Sequence, residues 1–347
     1  MAYTTIDDPS AHFQTALYSG NGSNGHVITN DGNSDLQPDF FWQKRRNEAR
    51  NHILIDTSRG GASYLASNST AAAGTDYTYV TSFNSDGFTL ASGDTSSNNA
   101  SGTYVAWQWK ANGGTTASNS DGSITSTVQA NQDAGFSIVT YTGTGNTATV
   151  GHGLGVAPKI IIGKRRSQAA NWWVGGSILT SAQTLYLNLT NAIDNVGEAG
   201  IFNVTTSTTF KLGTDTNRNA HNATNVAYCF AEKQGYSKFG SYVGNGNADG
   251  TFVYTGFKPA WVMTKETGAA GSWVIYDNKR DTFNPETKLF SAEAASEEAT
   301  YTQYDFVSNG FKFRSSGSEN SNGNTHIYMA FAENPFTTST GIPTTAR

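Results

Sequence analysis

Hydrophobic positions along the chain come in short runs, some alternating with polar residues and some continuously apolar, with Gly, Asn and Ser between them. That is the pattern of β-strands joined by tight turns. One arrangement recurs. A proline, an apolar run and a lysine six residues on occur as Pro38 to Lys44 (PDFFWQK), Pro158 to Lys164 (PKIIIGK) and Pro259 to Lys265 (PAWVMTK), with the prolines 120 and 101 residues apart. Upstream of each lies an aromatic-rich strand, a Gly/Asn/Ser turn and a second strand, beginning at Phe13, Phe136 and Phe239. Downstream, each stretch closes on an aromatic strand: Tyr104 to Trp109 (YVAWQW), Asn225 to Phe230 (NVAYCF) and His326 to Phe331 (HIYMAF), at steps of 121 and 101.

Interior features keep the same order. Leu65 and Asn68 match Leu185 and Asn188, and the turn Phe83-Asn84-Ser85-Asp86-Gly87-Phe88 matches Phe306 to Phe311. Asp-Gly there predicts a hairpin, because Gly supplies the positive φ. Asp56 and Arg59 match Asp277 and Arg280, whereas the middle stretch has Gly176 and Leu179. The pattern therefore predicts an all-β chain of three tandem homologous β-sandwich units of jelly-roll or lectin-like type. Their expected limits are 1–114, 115–234 and 235–337, followed by a polar tail over 338–347. Units of about 100 residues are large enough to bury cores of their own, which predicts separate beads. Ala111 to Asp121 (ANGGTTASNSD) reads as a flexible joint. Ser291 to Thr300 (SAEAASEEAT) reads as at most a short surface helix, with Glu293 and Glu297 repelling at i,i+4.

Composition narrows the function. Charged residues are only 14%, Gly numbers 37, aromatics make up 12%, and the net charge is −5. Such a chain has ample apolar area to fold and no basic field for nucleic acid. No run approaches the ~20 apolar residues of a membrane span, so no membrane insertion is expected. Met1 to Asp8 has no signal-peptide pattern, which predicts synthesis in the cytoplasm. Cys229 is the only cysteine, and the six histidines are never closer than 14 residues apart, so neither a disulfide nor a metal framework is expected.

The motifs that suggest chemistry are weak. Gly143 to Gly155 contains Gly-x-Gly patterns, but a strand follows where a phosphate loop needs a helix. Asn245 to Gly250 begins like a calcium loop, yet Gly256 stands where the bidentate Glu is required. The triplets Lys44-Arg45-Arg46 and Lys164-Arg165-Arg166 end matching strands, and with Asp56 and Arg59 nearby they suggest surface ion pairing. Trp107 and Trp109 share one strand face and read as core. Trp172 and Trp173 are the candidate ligand-binding residues. Adjacent strand residues face opposite sides, so one should be buried and the other exposed, to stack on a sugar ring or fill a subunit contact. The Asn-x-Ser/Thr triplets at Asn21, Asn68, Asn99, Asn188, Asn203 and Asn222 look like glycosylation acceptors, but so Asn-rich a chain produces them by chance.

Longer motifs carry a resemblance. MAYTTIDDPSAHFQTALYSGNGS with QPDFFWQKRR, then YVAWQWKANGG, YCFAEKQGYSKFGSYVGNGNADGTFVYTGF and the closing MAFAENPFTTSTGIPTTAR are similar to virion structural proteins of marine tailed bacteriophages, especially those of cyanobacteria. The resemblance implies a non-enzymatic, cofactor-free tail, fibre or minor structural protein on the particle surface, made in the host cytoplasm. Other virion proteins are its implied partners, with a homo-oligomer, preferably a trimer, and contact with host-surface glycan as further expectations. The alternatives are a capsid decoration or knob protein without a ligand, and a tailspike polysaccharide depolymerase, which predicts an acidic cluster in a groove.

Overall fold

The computed structural model describes residues 2–75, 79–197 and 205–344, and these are almost entirely antiparallel β-structure. Asn203 of the triplets and 345–347 of the tail lie outside the described residues. Three large sheets share one strand order. The first runs Phe13–Ser19, Thr103–Trp109, Phe40–Arg45, Ile53–Asp56, Ser63–Leu65. The second contains Phe136–Thr142, Thr224–Phe230, Ile160–Arg165, Trp173–Gly175, Gln183–Tyr186 in the same sense. The third contains Ser237–Val243, Thr325–Pro335, Phe257–Glu266, Val274–Asp277, Glu286–Ser291. The aromatic closing strand thus sits second in each series, between the strand before the first turn and the proline-led strand.

A smaller layer covers one face of each sheet, giving a sandwich. It is built from His26–Ile28, Phe88–Leu90 and Val80–Phe83 over the first sheet, and from Ala148–Gly151 and Thr209–Leu212 over the second. Over the third, the sheet itself continues through Ala299–Val307, Gly310–Phe313 and Phe252–Tyr254. The hairpin read at Asp86-Gly87 is present, with Phe83 opposite Phe88 and Gly87 at φ 94°.

The opposite faces of the three sheets meet in a common core. In the closing strands, Tyr104 and Ala106, Ala227 and Cys229, and Tyr328 and Ala330 point into the individual sandwiches. The alternate residues Val105, Trp107 and Trp109, Val226, Tyr228 and Phe230, and Ile327, Met329 and Phe331 all join one central cluster. Trp109 alone touches Phe13 and Phe40 of the first sheet, Phe230 of the second, and Trp261 and Phe331 of the third. Separate beads are therefore not what forms. Both faces of each sheet are apolar, and each large side chain so buried contributes roughly 1.5–3 kcal/mol.

The seams are closed by contacts that recur in rotation. Lys44 Nζ donates to Arg50 O (2.7 Å) and across to Ala295 O (3.0 Å). Lys164 Nζ donates to Ala170 O (2.7 Å) and across to Thr70 O (2.9 Å). Lys265 Nζ donates to Glu266 O (2.7 Å) and across to Thr190 O (3.2 Å). Beside each, a backbone N–H crosses the same seam at 2.9 Å: Glu298 to Arg46 O, Ala73 to Arg166 O and Ile193 to Thr267 O. A ring N–H does so too, from His52 Nε2 to Ser291 O (3.1 Å), Trp172 Nε1 to Ala66 O (2.8 Å) and Trp273 Nε1 to Tyr186 O (2.9 Å). His52 donates from Nε2 because Nδ1 accepts from Trp42 Nε1 at 2.9 Å.

Two segments differ from expectation, and the tail gains a contact. Ala111 to Asp121 is not a loose joint: buried Asp39 accepts from the backbone N–H groups of Ala111 (2.7 Å), Gly113 (2.9 Å) and Gly114 (2.8 Å), and Ala117–Asn119 pairs with Ser126–Asn131. Ser291 to Thr300 is not helical, because its backbone is committed to partners elsewhere: Ala292 N donates to Trp273 O, and Ala295 O and Glu298 N hold the first sheet. The described part of the tail folds back, with Ser339 N donating to Asp7 at 2.6 Å.

Candidate functional site

The residues that stood out in the sequence are structural. Trp172 and Trp173 do face opposite sides, but both are fully buried, at 0% exposure. Trp172 lies in the central core and Trp173 inside the second sandwich, so neither meets solvent or a sugar. Their sheet is covered on both faces, which is why alternation did not leave one exposed. Trp107 and Trp109 are core residues, as read. Lys44 and Lys164 of the basic triplets are buried at the seams, not on a charged surface.

Asp56–Arg59 is also internal, at 2.5 Å with both side chains inaccessible, as is Asp277–Arg280 at 2.6 Å. Each carboxylate receives a proton donor from another sheet: Tyr228 Oη reaches Asp56 at 2.7 Å, and Trp107 Nε1 reaches Asp277 at 2.9 Å. The closing-strand counterpart of Tyr228 and Trp107 is Met329, which has no proton to donate. Gly176 and Leu179 accordingly stand where the other two stretches have Asp and Arg.

The loops that resembled phosphate and calcium sites are held by asparagines. Asn98, Asn219 and Asn320 are each fully buried. Their side-chain oxygens accept from Asn21 N (3.0 Å), Thr144 N (2.9 Å) and Asn245 N (3.1 Å), while their amides donate to Ser23, Asn146 and Asn247 carbonyls. These asparagines stand 121 and 101 residues apart, the step of the closing strands, and that register is the signal that would have found them. Among the described residues, no group of three His, Cys, Asp or Glu is placed to hold a metal ion.

The most distinctive open feature lies between the third sheet and the N-terminal part of the first. Three adjoining hollows of about 220, 240 and 700 Å³ share lining residues and form one groove. It begins at Gln14 and Asp31, passes Asn278, Glu286 and Glu333, and ends beside Phe283 and Thr344. Its outer wall is the connection after Asp277. Asp56 to Leu65 and Gly176 to Leu185 span nine residues, whereas Asp277 to Phe290 spans thirteen, and the longer loop carries Phe283 at 85% exposure.

Electrostatically the groove is balanced. Lys258 pairs with Glu333 at 2.6 Å and Lys279 with Asp31 at 2.8 Å. Glu286 differs: it is 3% exposed, and its Oε2 is buried without a hydrogen-bond partner. Burial, reinforced by Asp281 and Asp277, raises its carboxyl to about 9 against the opposing pull of Arg280 and Lys258. At neutral pH it is a carboxylic acid, a group that both donates and accepts. Local sequence gave no sign of this, because nothing near Glu286 marks it as buried. The longer loop was countable from the repeat anchors.

Comparison with known families matches residues 8–335 to the model of a domain of unknown function, DUF7483. No curated protein matches the chain.

Proposed function

The chain belongs to the DUF7483 family, and we propose that it is a structural protein of a tailed-bacteriophage particle, built from three copies of one sandwich closed into a ring, that contacts host-surface glycan. The carrying observation is the rotation of seam contacts. The first sheet is fastened to the third through Lys44, the second to the first through Lys164, and the third to the second through Lys265. A cycle of this kind has no free end and makes a rigid body, the property a particle component needs. The resemblance of its long motifs to virion proteins of marine phages supports the same reading. A tail or fibre position follows from that resemblance, with capsid decoration as the competing place.

Immunogold labelling of purified particles tests this, with label expected on the tail or fibres. Label on the head moves the protein to capsid decoration, and particles lacking the protein end the reading. The trimer implied by the resemblance is checked by mass photometry, where a 37.0 kDa particle is the monomer. A monomer means that the ring supplies the threefold arrangement from one chain.

A second reading, polysaccharide depolymerase, is favoured by one observation: neutral Glu286 and ion-paired Glu333 line the same hollow. Carboxyl groups held in different protonation states can divide acid and base roles. This reading predicts shortening of host polysaccharide by the wild-type protein and loss of that activity in Glu286→Gln.

A further inference from the structure

We propose that the groove between Gln14 and Phe283 binds an uncharged oligosaccharide, with Phe283 as the stacking surface and the Glu286 carboxyl as a buried hydrogen-bond partner. This deepens the glycan-contact part of the function above and is independent of where the protein sits in the particle. Five observations support this, three of them pointing to that ligand class. The three hollows are continuous through shared residues, which suits a chain molecule rather than a compact one. The lysines that line it are paired with carboxylates, leaving no net field to attract phosphates or an acidic peptide. Asn278, Asn334, Asn33 and Ser10 add amides and a hydroxyl along its length. Sugars are recognised by this combination of polar groups with an aromatic face.

The other two observations mark the groove as built for a ligand. Glu286 is buried and lines the middle hollow, yet its Oε2 meets no protein partner. A buried polar atom left without a partner in a native fold calls for an explanation, and a ligand hydroxyl or acetamido group supplies one. The residues at the same register in the other two stretches, four before Leu65 and Leu185, are Gly61 and Ser181. Neither has a carboxyl, and neither stretch has the longer loop, so the feature belongs to the third sheet alone. Phe283 stands on that loop almost wholly in solvent, so its ring is open to a ligand lying in the groove it lines.

Calorimetric titration of the full chain at pH 7 with cellotetraose, maltotetraose and N-acetylchitotetraose, and with tetragalacturonate as the charged comparison, tests the assignment. At least one neutral tetrasaccharide is expected to bind, with affinity reduced about tenfold or more in Phe283→Ala and in Glu286→Ala. Glu286→Gln is expected to stay within about threefold of wild type, since an amide still donates where a carboxylate would not. Phe283 is exposed, so its variant folds, and parallel thermal melts check the Glu286 variants. A neutral tetrasaccharide that binds wild type and both alanine variants equally overturns the groove assignment while leaving glycan contact standing. A wild-type protein that binds no member of the panel overturns both. Preference for tetragalacturonate overturns the uncharged class.

Discussion

At the scale of single residues, buried polar groups hold the sheets together, and their consequences are measurable. Arg280→Leu leaves the Asp277 carboxylate buried with Trp107 as its remaining cross-sheet donor. A loss of about 3–5 kcal/mol is expected in denaturant unfolding, the usual cost of breaking a buried ion pair from one side. The seam lysines carry a pH signature. Burial lowers Lys44 to about 7 and Lys164 and Lys265 to about 8, against 10.5 unperturbed. Between those values the unfolded chain binds more protons than the folded one, so their contribution to stability increases with pH from about 7 to 10.5. Lys44→Met should therefore show a shallower rise of unfolding free energy than wild type over that window. Equal slopes would mean that Lys44 is not titrating as its burial implies. His52, also pushed down by burial, acts at the other end, where stability is lost as pH falls below about 6.5.

At the scale of elements, periodicity and turn chemistry were legible, but the partners of each element were not. Alternation correctly assigned opposite faces to Trp172 and Trp173 and a common face to Trp107 and Trp109. It could not reveal that both faces of those strands are covered, because one of the covers is a different sheet. Ser291 to Thr300 shows the same limit from the other side. Its Ala- and Glu-rich composition favours helix, yet cross-seam hydrogen bonds keep it out of one, and tertiary contacts override weak local propensity. The joint at Ala111 to Asp121 is ordered by Asp39, a residue more than seventy positions earlier. Asp39→Ala should expose this segment to limited proteolysis while the sheets stay folded; an unchanged cleavage pattern would show that strand pairing alone orders it. The asparagine clasps were findable in principle, since they keep the repeat step. Asn320→Ala is expected to cost about 1–3 kcal/mol by leaving buried carbonyls and an N–H without partners, checked by the shift in the thermal midpoint.

At the scale of the whole molecule, the central core joins what the repeat pattern had separated. Trp109 packs against aromatic rings of all three sheets. Trp109→Ala is accordingly expected to cost about 3–5 kcal/mol and to lower one cooperative calorimetric transition without splitting it. Resolved transitions in wild type would instead mean that the sheets unfold independently. The match of one family model across residues 8–335 fits a single body. The sequence by itself determined the strands, their turns and the thrice-repeated order, since those depend on local periodicity and on glycine and proline geometry. Only the tertiary structure decided that Lys44, Lys164 and the tryptophans lie inside and that a carboxyl in a groove is neutral. Burial, and the charge state that follows from it, depend on which distant segments exclude water, and no short window of sequence contains them.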